Sequence, residues 1–230
     1  MLQNMPFVPV CLLSLVLLPV PRVQGAEILQ TPAAAELEAS QSSNKRQSPS
    51  IILLAQTPNF SQLVLTGQDL PKSFQAMPQA DLEQLRRDLT QEDFPVASVF
   101  AFMDPNNFEL VMGITTQIQS PAEQQEFDRT LNQPEVLQAM LTEGLGQTEI
   151  KGRQPLTNLN NIGNSAGGVS LDVDLEGVPA RLDIIAFRRD VVGAFVFVMY
   201  LNEETPVMPA PEVARKLDER VMKMLNTAAN

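Results

Sequence analysis

Histidine and tryptophan are absent from this chain, and tyrosine and cysteine occur once each, as Tyr200 and Cys11. Without histidine there is no His-based acid–base pair or triad and no imidazole metal ligand. Cys11 lies inside an apolar N-terminal run, FVPVCLLSLVLLPV (residues 7–20). If that run is removed, the remaining chain has no thiolate nucleophile, no Cys zinc ligand and no disulfide. A carboxylate pair for glycoside hydrolysis usually works beside aromatic rings that stack on sugars, and this chain has no Trp and one Tyr. The pattern Ser-x-x-Lys of a serine–lysine nucleophile pair occurs once, as Ser42 to Lys45, inside the small polar stretch of residues 30–50 and not in a folded segment's pattern.

Basic residues are also scarce, 16 against 27 acidic, for a net charge of −11. Such a chain repels nucleic acid and anionic lipid, and favours cations, basic partners or simple solubility.

The apolar run at residues 7–20 is short for a bilayer span and is interrupted by Pro9 and Pro19, as expected of a signal-peptide core. Val23 and Gly25 meet the small-residue requirement at positions −3 and −1 of a cleavage site, placing the cut before Ala26. The opening MLQNM carries no Lys or Arg, so a retained N-terminal anchor is the alternative. Cys11 follows Val10, where a lipoprotein cysteine would need a small residue. The chain is therefore expected to be exported, to the periplasm, a thylakoid lumen or the extracellular space, with no transmembrane span after cleavage. Loss of Arg22 with the signal takes the net charge to −12.

Residues 26–55 read as a flexible tether with a short apolar segment, because QTPAAAELEASQSSNKRQSPS has no hydrophobic periodicity and is followed by IILLA at 51–55. That pentapeptide is expected either as a strand packed on the domain or as a small apolar contact site. Residues 56–230 are expected to form one α+β domain.

Within it, VASVFAFM (96–103), the DPNN turn and FELVMGITTQI (108–118) spell a hairpin. SLDVDL, RLDIIAF and VVGAFVFVMYL read as three further strands. The last is apolar on both alternating faces, Phe195, Phe197 and Met199 against Val196, Val198 and Tyr200, so its sheet must be covered on both sides. Helices follow from the Leu82, Leu85, Leu89 stripe and from the Ser120-Pro121-x-Glu123 capping box ahead of Phe127 and Leu131. Two more are expected, one from Pro134 and one from Pro211 with Val213, Leu217, Val221, Met224 and Leu225 inward. Short connections favour antiparallel pairing, and the expected architecture is an antiparallel β-sheet sandwiched between helices, an α-β-α sandwich.

One stretch invites a ligand. GNSAGGVSLDVDLEG (163–177) is Gly-rich, but it runs into a strand and into negative charge, and matches neither GxGxxG nor GxxxxGK, so a phosphate cradle is set aside. It is read as a β-hairpin, with calcium as the alternative. Asp172, Asp174 and Glu176 share a strand face. A turn centred on Gly177 and Val178 would set Asp174 opposite Arg181 and Asp172 opposite Asp183, a like-charge pair that a calcium ion at Asp172, Asp174, Glu176 and Asp183 would relieve. The EF-hand pattern is missing. Arg188 and Arg189, beside Asp190, are candidates for docking an acidic partner surface, against the alternative of a solvated turn.

The runs IGNSAGG (162–168), RLDIIAFRRDVVGAFVFVMY (181–200) and EVARKLDERV (212–221) resemble the C-terminal half of PsbP-like domains and their exported bacterial relatives, over about 70 residues near the end of the chain. The resemblance implies an α-β-α sandwich and a non-catalytic role at photosynthetic or cell-envelope complexes. The histidines that contribute metal contacts in some relatives have no counterpart here, so no binding residue carries over.

The expected function is a non-enzymatic accessory or assembly domain that binds a protein complex at a membrane or envelope. A small-molecule or lipid carrier, with Met199, Met208, Met222 and Met224 lining an adaptable pocket, is the alternative. A hydrolase using serine or carboxylates stands third.

Overall fold

The computed structural model describes residues 59–91, 95–143, 149–175 and 177–228. The proposed signal, the tether and IILLA lie outside the described residues, as does Glu176. After a 3-10 turn at Phe60–Gln62, the elements run β1 (Gln75–Ala76), α1 (Gln79–Gln91), β2 (Val96–Asp104), β3 (Glu109–Gln117), α2 (Pro121–Leu131) and α3 (Pro134–Glu143). They continue with β4 (Glu149–Pro155), β5 (Ser165–Leu175), β6 (Val178–Arg189), β7 (Val192–Leu201) and α4 (Ala210–Ala228). The strands form one seven-stranded sheet in the order β1-β2-β3-β7-β6-β5-β4. Every neighbouring pair is antiparallel, as short connections require.

The sequence explains why β7 is central. Its alternating side chains divide between two hydrophobic clusters. Phe195 and Phe197 join Leu85 and Leu89 of α1, Leu131 of α2 and Leu137 of α3. Ala194, Val196, Val198 and Tyr200 join Val213, Ala214 and Leu217 of α4, together with Leu65, Leu70 and Phe74 from the segment before β1. An edge strand could not bury both sets, so β7 lies between β3 and β6.

Local signals set the helix ends. Ser120 Oγ accepts from the Glu123 amide at 3.2 Å, and Glu123 Oε2 accepts from the Ser120 amide at 3.3 Å, closing the capping box that starts α2. Pro134 opens α3 as a separate helix, its ring fitting a first turn and not an interior one.

The two edges of the sheet differ. β4 is short of apolar residues and carries Lys151, Gly152, Arg153 and Pro155, a blunted edge. β2 is largely apolar, and β1 covers it only opposite Phe102 and Met103.

Candidate functional site

The β5–β6 hairpin carries the acidic residues singled out by the sequence. Its register is two residues away from the expected one. Leu175 pairs with Val178, Asp172 with Arg181, Asp174 with Pro179, and Ser170 with Asp183. The cause is local: Asp174 Oδ1 accepts from the Gly177 amide at 2.6 Å, and Gly177 has φ +90, so the strands close one residue earlier than a turn on Gly177 and Val178 would allow.

Asp172 and Asp183 are therefore not cross-strand partners, and the like-charge pair that motivated calcium does not form. Arg181 donates to Asp172 Oδ1 from Nε at 3.0 Å and from Nη2 at 2.8 Å. Lys151 on β4 donates to Asp174 Oδ2 at 2.6 Å. Gly152 makes room for this arrangement, because a Cβ there would lie 2.3 Å from Asp172 Oδ2. Among the described residues no group of three or more acidic, His or Cys side chains is placed to hold a metal ion.

Asp183 is buried behind this ion pair, on the α4 side of the sheet. Tyr200 donates to its Oδ2 at 3.2 Å, while Oδ1 has no hydrogen-bond partner. Burial raises the Asp183 carboxyl above its ordinary range, outweighing the pull of the Ser170 and Tyr200 hydroxyls and of Arg181. Burial, with Asp183 nearby, also pushes the Tyr200 phenol up to about 12. At the same end of the sheet Glu109 is buried too. It accepts from the Val207 amide at 2.5 Å and the Met208 amide at 3.0 Å, fastening the connection before α4 to the start of β3. Its carboxyl is raised by burial despite these bonds.

These groups set a pH dependence. Asp183 and Glu109 bind protons more tightly folded than unfolded, so their contribution is complete below their ordinary values, 3.8 and 4.5, and is lost as pH rises through the raised folded values. Asp104 is held low by Asn107 and Ser73, and Asp174 by Lys151 and the Gly177 amide. Their contribution is present above the ordinary value of 3.8 and lost as pH falls through the lowered ones. Tm is therefore expected to rise on mild acidification from neutrality and to fall in stronger acid. Asp183→Asn should raise Tm at neutral pH and shrink the acid-side gain, as calorimetric melts across that range would show. An undiminished gain in the variant would contradict the assignment.

Arg188 and Arg189 are both engaged within the domain. Arg188 grips Asp128 of α2 through Nε at 2.7 Å and Nη2 at 2.6 Å, and also donates to the Asp190 carbonyl at 3.0 Å. Arg189 grips Asp218 of α4 through Nε at 2.8 Å and Nη2 at 2.5 Å. Consecutive residues of a strand point to opposite faces, so the two arginines tie β6 to a helix from each hydrophobic cluster. Arg220 of α4 likewise reaches back to Asp69 at 2.5 Å.

Sequence patterns do not identify Asp128, Asp218, Glu109 or Asp69 as partners. A signal is present for Asp218, four residues after Ala214 and three before Val221, a carboxylate inside an otherwise apolar stripe. The methionines offered as a pocket lining separate. Met199 packs with the first cluster, Met208 with the second and Met224 with a small third one around Leu63, Val192 and Val221, while Met222 is exposed.

The exposed apolar residues are distributed unevenly. Phe108, 64% exposed, stands at the tip of the β2–β3 hairpin with φ 50, a left-handed conformation unusual for a bulky side chain. Asp104 shapes that tip by accepting from the Asn106 amide at 3.0 Å and Asn107 Nδ2 at 2.8 Å. Val207 and Val178 are exposed as well. The pairings Leu110 with Met199 and Ala180 with Leu201 put the starts of β3 and β6 and the end of β7 at one end of the sheet.

Among the described residues no helix is long and apolar enough to cross a membrane. No protein-family model matches the chain, and no curated protein matches it.

Proposed function

We propose that this chain is a non-catalytic exported domain of PsbP-like type, with its antiparallel sheet held between helices, that binds or helps assemble a protein complex at a cell envelope or thylakoid membrane. The signal-like N-terminus and the tether support the location. The division of the helices' apolar residues between two clusters supports the layered architecture. The acidic balance and the missing histidine support a binding role over a catalytic one.

The observation that carries the reading is Phe108, an aromatic side chain held in solvent by a backbone conformation that disfavours it. Strain of this kind costs about 1–2 kcal/mol and persists where function needs the geometry. The Val207 amide is held by the side chain of Glu109, the residue that follows Phe108. Val178 is two strands across and two residues beyond the level of Phe108 towards the start of β6, about 12 Å at the usual strand spacing and rise. Exposed Glu203 and Glu204 follow β7 at the same end. An apolar patch with an acidic border fits a partner surface that is apolar at its centre and basic at its rim.

Phe108→Gly separates binding from folding. It should raise stability by about 1 kcal/mol by removing left-handed strain, and weaken partner binding about tenfold or more by removing an aromatic anchor. Denaturant melts and titration against the purified complex measure the two effects. Unchanged affinity in a folded variant would sink the assignment of this surface.

A further inference from the structure

The open edge of β2 points to an occupant within the chain itself. The Met77 amide donates to the Ala101 carbonyl at 2.9 Å, so the polar groups of Ala101 face outward from β2. Two residues earlier, those of Val99 face the same way, and α1 has already begun at Gln79, leaving β1 nothing to pair there. Beside this edge lies a groove of about 370 Å3 whose floor runs from Ala97 to Phe102. One wall is Leu82 of α1 with Gln79, Glu83 and Arg86 along its outer side, and the other is Ser61, Val64 and Leu65. Leu82 and Val99 pack with the first hydrophobic cluster, and Val64 and Leu65 belong to the second.

A strand laid in this groove would meet Leu82 on one face and Val64 and Leu65 on the other, so apolar residues at consecutive positions suit it better than apolar residues at alternate ones. Residues 51–55, IILLA, have that composition, and they are the one such run between the proposed cleavage site and the described domain. They end six residues before Ser61, which lines the groove, and six extended residues reach about 20 Å. We propose that residues 51–55 add as a strand to the edge of β2, with Ile51, Leu53 and Ala55 toward one wall and Ile52 and Leu54 toward the other. The tether then leaves the domain at this edge, and the exposed template for aggregation is covered.

Hydrogen exchange on the whole chain tests this at one amide. Val99 should exchange at least a hundredfold more slowly than an unprotected amide. Ile52→Asp/Leu53→Asp, which puts charge on both faces of the added strand, should remove at least tenfold of that protection while the Val111 and Ile184 amides keep theirs. An unprotected Val99 in the unaltered chain would overturn the proposal, as would protection that survives the double substitution. Protection that appears only as the particle mass doubles would overturn it in favour of a second copy at the edge.

Discussion

Asp218→Ala is expected to destabilise the domain by about 3–5 kcal/mol, the loss that follows when a buried ion pair is stripped of one partner. Asp218 is 1% exposed and accepts three hydrogen bonds, two from Arg189 and one from the Gly163 amide at 3.0 Å. Alanine would leave a guanidinium with little access to water and no counter-charge, together with an orphaned amide. The pair itself adds little net stability, because ion desolvation offsets the attraction. Arg189→Met/Asp218→Leu should therefore recover the part of the loss that comes from the stranded guanidinium, and leave the part that comes from the Gly163 amide. The Arg181–Asp172 pair gives the contrast. Both side chains are about a third exposed, at 31% and 33%, so Asp172→Ala should cost no more than about 1 kcal/mol. Denaturant unfolding of the three variants measures the series. A loss below about 1 kcal/mol for Asp218→Ala would mean that water reaches Arg189.

Gly163→Ala comes second, at about 3 kcal/mol, by a backbone mechanism. Gly163 has φ +64, where a Cβ costs about 1–2 kcal/mol, and the added carbon would stand 2.4 Å from the Arg188 carbonyl oxygen. That carbonyl cannot step aside, because it already accepts from the Asn164 amide at 2.6 Å, while Asn164 Oδ1 accepts from the Asp190 amide at 2.7 Å. The Gly-rich loop, whose composition hints at a phosphate cradle, is thus a clamp on the β6–β7 turn. The same denaturant series reads the effect. A loss under about 1 kcal/mol would show that the loop can shift without disturbing the turn.

Much of the fold is legible in the sequence because it is written in short-range patterns. The capping box at Ser120, Pro134 and the doubly apolar β7 each act within a few residues, and the structure follows them. β4 escapes sequence patterns because EIKGRQP has no apolar run and holds Gly152 and Pro155, so pairing with β5 places it and not propensity. The β5–β6 register differs from the expected one because the side chain of Asp174 decides where the turn closes. The partners of Arg188 and Arg189, Asp128 and Asp218, lie 60 and 29 residues away, and no local pattern announces a contact at that range. The patch at Phe108 is illegible for a related reason. Phe108 and Val207 come from two connections and Val178 from the start of β6, and only the strand order brings them to one end.

If the sheet end bearing Phe108 docks on a protein of an envelope or thylakoid complex, a photo-crosslinking side chain at position 108 will capture that protein in the native host. The same label at Met222, an exposed apolar site on α4, is the control. The expected outcome is adducts from position 108 to one protein, reproducible, absent from the control and reduced by excess unlabelled protein. No adduct at position 108, or the same adducts from both positions, would refute docking through this surface.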